Sequence, residues 1–241
     1  MLSEGLVTID WGTTNRRIFV LGPDGAVVSR EADARGVTAI PPGGFPAEMA
    51  ELRARFGDRL FLLAGMIGSN RGWIEAPYVS CPVTLPLLAG RLAWAEPGRT
   101  AIVPGACVDT GDAAEVMRGE EVQLLGAAAA GLVPPDAALC LPGTHAKWAV
   151  LKKGALTGFR TVMTGELFAL LRNHSILSAS LKGEVKADAA SARACDAGWT
   201  MARSRPICSA RARACCSASW PRPTRLLMSA GSCLARICAS G

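Results

Sequence analysis

The sequence predicts an α/β protein built from two related lobes, with the second lobe incomplete. Three observations carry this expectation. Apolar runs of strand length alternate with turns marked by Gly, Pro, Asp and Asn. One strand and turn grammar occurs twice, with Gly-Thr at the same place in each copy, Gly12-Thr13 and Gly143-Thr144. Beyond about Lys186 the periodicity stops.

The elements follow in order. Residues 6–10 read as a buried strand and lead into Gly12-Thr13-Thr14-Asn15. An apolar run, Ile18–Leu21, the turn Gly22-Pro23-Asp24-Gly25 and the run 26–28 complete three antiparallel strands, because Asp-Gly between apolar runs favours a hairpin. Leu60–Ala64 is a further buried strand, followed by the glycine-rich segment 65–73 and a proline-rich surface stretch, 77–86. Residues 100–103 form another strand, and 113–130, rich in Ala, Leu, Glu and Gln, read as a helix. Gly131–Asp136 connects the lobes. The second copy runs from 138–141 through Gly143-Thr144-His145 to 148–151, the turn Lys152-Lys153-Gly154 and a third run ending at Val162, after which 162–177 begins a helix. Copies about 130 residues apart imply two related lobes rather than a short-period array. The expected division is 1–133, 137–185 and a tail, 186–241.

Composition narrows the function classes. With 50% hydrophobic and 19% charged residues, the chain can bury a large core and is not of disordered composition. Its start is too short and too poor in basic residues for a signal peptide, and no apolar run reaches the ~18 residues of a membrane helix. A cytoplasmic enzyme without a membrane partner is expected. The net charge of +6 comes from the tail: from Ala189 onward eight arginines, from Arg193 to Arg236, face one acid, Asp196. Six of the nine cysteines also lie there, with no C-x-x-C spacing for a metal site. The tail has neither helix nor strand period. A frameshift near 186–190 in a GC-rich gene would produce such a composition; a basic arm for anionic partners is the alternative. Nucleic-acid binding through the tail would need interleaved aromatics, and only Trp199 and Trp220 are available, so no nucleic-acid partner is expected.

The chemistry is expected at the turns. A carboxylate at a strand end, Asp10, followed by Gly12, Thr13, Thr14 and Asn15, suits phosphate and magnesium: the turn offers N–H groups and hydroxyls, and Asp10 can orient a hydrated Mg²⁺. The same residues also suit a plain Asx-type turn. Two such turns across a cleft could hold a polyphosphate from both sides, as transfer of a γ-phosphoryl group requires. Arg16 and Arg17 beside the first turn and Lys147 beside the second are available cations, or solvated and paired strand residues. Glu120, near the start of a helix, is the candidate base for a hydroxyl proton; Glu120 and Glu121 also suit the positive end of the helix dipole. His145 and His174 make no recognisable metal site, and no Ser-His-Asp or G-x-S-x-G pattern is present.

Five blocks together carry a resemblance. They are Ile9-Asp10-Trp11-Gly12-Thr13-Thr14-Asn15-Arg16-Arg17; Gly65-Met66-Ile67-Gly68-Ser69 with 72–78; Met117-Arg118-Gly119-Glu120-Glu121; Leu141-Pro142-Gly143-Thr144-His145-Ala146-Lys147-Trp148; and 159–168. From residue 5 to about 185 the chain resembles the 2-dehydro-3-deoxygalactonokinase family. The resemblance implies a ribonuclease H-like, actin/hexokinase-type two-lobed ATPase fold. It implies phosphorylation of 2-dehydro-3-deoxy-D-galactonate, a small-molecule sugar acid, at its 6-hydroxyl by ATP with Mg²⁺ in galactonate catabolism. Gly12, Thr13, Thr14, Asn15 and Arg17 then match the first phosphate loop and Gly143, Thr144 and Lys147 the second. Asp10 becomes the catalytic and metal-associated carboxylate, and Arg118–Gln123 stands where related kinases keep a catalytic carboxylate, usually Asp. Arg71, Trp73 and Glu75 become candidates for the substrate's carboxylate and hydroxyls. After Gly183 the chain departs from the family, in the region that builds most of the adenosine pocket, so weak or absent activity is expected. A non-catalytic phosphosugar-binding protein would use the same cleft.

Overall fold

The computed structural model describes residues 5–109, 111 and 114–183. They fall in two compact units, the first holding the described residues up to Val162 and the second starting at Met163. The expectations about the tail, a frameshift or a basic arm, lie outside the described residues.

The first unit starts with the expected three strands, β1 (Leu6–Trp11), β2 (Arg16–Leu21) and β3 (Val27–Asp33). Helix α1 (Phe45–Phe56) crosses to β4 (Leu60–Gly65), and the chain continues through β5 (Tyr78–Ser80), α2 (Leu85–Ala89), β6 (Ala93–Glu96) and β7 (Thr100–Ile102). Then come β8 (Gly105–Asp109), β9 (Ala114–Met117), α3 (Glu120–Ala129) and the meander β10 (Ala137–Leu141), β11 (Ala146–Lys152) and β12 (Ala155–Val162). A six-stranded sheet has the order β3-β2-β1-β4-β7-β6. Its first three strands are antiparallel, and β4 and β7 run parallel to β1. This is the sheet of the expected ribonuclease H-like, actin/hexokinase-type fold. Two three-stranded sheets, β5-β8-β9 and β10-β11-β12, complete the unit. The second unit contains α4 (Thr164–His174) and a 3-10 turn at Ile176–Ala179.

Strand alternation sorts the core into two clusters, because successive side chains point to opposite faces of the sheet. Val7, Ile9 and Trp11 of β1 pack with Phe45, Met49 and Leu52 of α1. Leu6 points the other way, into a cluster with Val122, Leu124 and Leu125 of α3 and Ala149, Leu151, Leu156 and Phe159 of β11 and β12. The meander therefore shares a core with the first sheet, and the expected boundary at 133–137 falls inside one compact unit.

Two local expectations are corrected, and one helix is added. The helix expected over 113–130 starts at Glu120, because residues 114–117 pair with β8 as a strand and Gly119, at φ +103, breaks the backbone between them. Helix-forming composition yields there to sheet pairing. The 77–86 stretch is not all surface: Val83 and Leu85 are buried, and Val83 bridges to Leu156. Helix α1, whose charged residues dilute its apolar stripe, has no counterpart in the sequence reading.

Candidate active site

Asp10 stands near the C-terminal end of β1, level with Arg17 on β2 and Ala64 on β4. The carboxyl ends of parallel strands are where open α/β sheets leave a crevice for ligands. By alternation Asp10 shares the face of Leu6, toward α3, whereas its neighbour Trp11 is buried against Phe45 on the other face. Oδ2 of Asp10 accepts from Arg17 Nη1 at 2.9 Å. Burial pushes the Asp10 carboxyl up, and the Arg17 guanidinium pulls it back.

The turn after β1 is tied down through its carbonyls. Gly12 N–H donates to the Asn15 carbonyl at 2.9 Å, and Val37 N–H to the Gly12 carbonyl at 3.0 Å. The Thr38 hydroxyl donates to the Thr13 carbonyl at 2.8 Å. Gly36 lies so close beneath that a Cβ there would come within 2.3 Å of the Thr13 carbonyl oxygen. With the carbonyls engaged inward, Thr13, Thr14 and Asn15 stay exposed, and with Asp10, Gly12 and Arg17 they line a surface pocket.

The two arginines beside this turn have different fates. Arg16 is buried, paired with Asp33 and Glu48 at 2.7 Å each, and sits over the Trp11 ring at 4.9 Å. It is spent on the fold and is not available to a ligand. Arg17 is 59% exposed and remains beside the pocket.

The start of α3 reaches the same place. A Cβ on Gly119 would lie 3.1 Å from the Gly65 Cα and 4.0 Å from Asp10 Oδ1. Gly65 itself has φ +95, so two glycine backbones in conformations that disfavour side chains meet beside Asp10. Gly119 N–H donates to both carboxylate oxygens of the buried Glu121 at 2.8 Å, and Arg118 N–H to Glu120 Oε2 at 3.1 Å. Burial pushes the Glu120 carboxyl up; nearby Lys147 opposes this and Asp10 reinforces it. Burial and the neighbouring Glu120 push Glu121 up to about 8. Lys147 is buried on β11, its ammonium donating to the Val116 carbonyl and the Thr161 hydroxyl at 2.9 Å each.

Asp10, the 12–15 turn, Arg17, Glu120 and Lys147 thus form one neighbourhood in which a carboxylate, exposed hydroxyls, a half-buried carboxyl and two cations converge. Gly143 and Thr144 lie exposed in the turn that leads into Lys147. Arg71 and Glu75 are exposed, and Trp73 stacks on Phe45 at 6.4 Å, among residues on the α1 face of the sheet. No described contact joins these three to Asp10 or Glu120. The sequence reading missed Gly36, Thr38, Gly65, Gly119 and Glu121 as site-building residues; the adjacency of Gly119 to two acids was the available signal.

Among the described residues no group of three or more His, Cys, Asp or Glu side chains could hold a metal alone, and no helix is long and apolar enough to cross a membrane. A lone strand-end carboxylate with hydroxyls beside it still fits Mg²⁺, which keeps most of its waters and is shared with a substrate's phosphates.

The 2-keto-3-deoxy-galactonokinase family model matches residues 10–224. The 2-dehydro-3-deoxygalactonokinase of Escherichia coli (strain K12) is 40% identical over 177 residues, 73% of this chain and 59% of that protein. A Rhizobium meliloti (strain 1021) protein assigned the same activity is 40% identical over 177 residues, 70% of this chain and 57% of its own length. The chain therefore spans less than two thirds of the length of these relatives. A crystal structure of a Sinorhizobium meliloti protein, also assigned as a 2-dehydro-3-deoxygalactonokinase, superimposes with a TM-score of 0.70 at 31% identity, covering 98% of this chain and 81% of that one. With a family match over most of its length and this shared fold, the chain belongs to the 2-keto-3-deoxy-galactonokinase family.

Proposed function

We propose that this protein transfers the γ-phosphoryl group of ATP to the 6-hydroxyl of 2-dehydro-3-deoxy-D-galactonate, as a cytoplasmic enzyme of galactonate catabolism. One observation carries the reading: the strand-end Asp10, the exposed hydroxyls of the 12–15 turn and the half-buried Glu120 converge at one end of the sheet. Phosphoryl transfer asks for positioning and charge stabilisation. Gly12 closes the turn so that Thr13, Thr14 and Asn15 present N–H groups and side chains to the phosphates, and Arg17 supplies positive charge at their edge. Gly143, Thr144 and Lys147 serve the opposite side, with Lys147 acting from a buried position. Asp10 would hold hydrated Mg²⁺, which supplies charge neutralisation on the phosphate oxygens when bound. Glu120 accepts the hydroxyl proton as the new O–P bond forms and the bond to the leaving ADP breaks; its upward shift brings it nearer the working pH of a base. Arg71, Trp73 and Glu75 recognise the acid's carboxylate and hydroxyls. In this reading residues 1–133 carry the first phosphate loop and acid site, and 137–185 start the second lobe.

The test is ADP release by the purified full-length chain with Mg²⁺, ATP and the sugar acid, with the product identified by mass spectrometry. Sugar-acid-dependent ADP and a monophosphorylated acid are expected. Binding of the acid without any turnover would overturn the reading in favour of a non-catalytic binder. Turnover at an ordinary enzymatic rate would refute the expectation of weak activity drawn from the departure after Gly183.

A further inference from the structure

Glu121 is buried with no exposed surface, directly behind Glu120, in a place where an apolar residue would satisfy the α3 packing. Its neighbours Val122, Leu124 and Leu125 are all core residues. A carboxyl group in such a position costs free energy unless its hydrogen bonds achieve something an apolar residue cannot. Both of its oxygens converge on one donor, the Gly119 N–H, at 2.8 Å. That donor belongs to the residue whose backbone contacts Gly65 and approaches Asp10. The Gly119 amide cannot be satisfied within the helix, since the first N–H groups of a helix have no intrahelical acceptor. At φ +103 it lies in a conformation open to glycine and closed to most other residues, so the turn depends on glycine at this position.

We propose that Glu121 is a positioning residue: by holding the Gly119 N–H it fixes the turn that sets Glu120 and the start of α3 against Asp10. It touches neither substrate nor nucleotide and acts through the backbone. Arg118 anchors the other side of the turn, its Nη2 donating to the Ala76 carbonyl at 2.8 Å and its guanidinium lying over Tyr78 at 4.2 Å. The turn is therefore held from both flanks, by a side chain on either side of Gly119. The proposal rests on the reading of Glu120 as proton acceptor for its catalytic consequence, but the hydrogen bond itself is testable without it.

The experiment uses the full-length chain and its Glu121→Gln, Glu121→Leu, Gly119→Ala and Glu120→Gln variants. Transfer from γ-labelled ATP is followed, a readout that registers slow turnover, together with hydrogen exchange at the Gly119 amide. Glu121→Leu, which keeps side-chain bulk but has no acceptor, is expected to lower kcat about 10- to 100-fold with KM for both substrates within about 2-fold. Gly119 exchange should accelerate at least about 10-fold. Glu121→Gln keeps an acceptor and should restore most of the turnover and the protection. Gly119→Ala should lower kcat in the same way while leaving Glu121 intact. A folded Glu121→Leu variant with wild-type kcat and unchanged Gly119 protection would overturn the proposal. If that variant does not fold, wild-type kcat in Gly119→Ala overturns it equally. Wild-type turnover in Glu120→Gln would instead defeat the reading of Glu120 as base, and Gly119 exchange would still decide the role of Glu121.

Discussion

Replacing Glu121 by Gln should make the protein more stable, and by an amount that depends on pH. The folded chain pushes this carboxyl from its ordinary value of 4.5 up to about 8, chiefly through burial, with Glu120 adding to it. Below pH 4.5 the group is protonated both folded and unfolded, and nothing is lost. Between pH 4.5 and 8 the unfolded chain ionises while the folded one keeps its proton, so stability falls by about 1.4 kcal/mol per pH unit. Above about 8 the loss levels off at about 5 kcal/mol at most. Gln resembles the neutral acid, keeps an oxygen for the Gly119 N–H and cannot ionise. The variant should therefore match the wild type near pH 4.5 and exceed it by about 3 kcal/mol at pH 7. For a chain of this size that is a rise in Tm of about 6–12 °C. Thermal unfolding followed by circular dichroism at pH 5 and pH 7.5 measures it. A Tm difference that is the same at both values, or one in favour of the wild type at pH 7.5, would refute the reasoning.

Three further outcomes are expected. Arg16→Met should destabilise by about 1–3 kcal/mol in urea unfolding, because it removes the buried guanidinium shared by Asp33 and Glu48 and leaves Glu48 paired with Arg35 alone. Asp10→Asn should abolish measurable turnover while leaving Tm unchanged or slightly raised, since burial already disfavours the charged carboxylate; loss of fold instead of turnover would argue for a structural aspartate. Lys147→Met removes two hydrogen bonds and should cost about 1–3 kcal/mol. Its positive charge favours ionised Glu120, so its removal should also move the acid limb of the pH–rate profile to higher pH, and an unmoved limb would separate Lys147 from Glu120.

Much of this arrangement was legible in the residues. Apolar runs of strand length bounded by glycine and Asp-Gly turns marked β1, β2, β4 and β7 and the closing meander, and the strand-end aspartate before Gly-Thr marked the pocket. What stayed hidden depends on tertiary partners. Residues 114–117 have helix-forming composition and become a strand because β8 lies beside them. Arg16 and Arg17 look equivalent in sequence, but alternation sends one toward α1 and its acids and leaves the other beside Asp10. Glu120 and Glu121 are likewise adjacent and alike, yet the helix turns one toward the cleft and the other into the core. Charge and residue type give the chemistry available; only the packed partners say which of two neighbours is spent on the fold.

The meander β10–β12 contributes Ala149, Leu151, Leu156 and Phe159 to the same apolar cluster as Leu6 and Leu62 of the opening sheet. A gene cut near codon 133 would therefore not release an autonomous N-terminal module. It would strip one wall from the layer that seats α3, and the loosened helix would carry Glu120 with it. Attempts to dissect this protein should keep everything through Val162 together, since hydrophobic contacts made after the presumed lobe boundary maintain the acid beside Asp10.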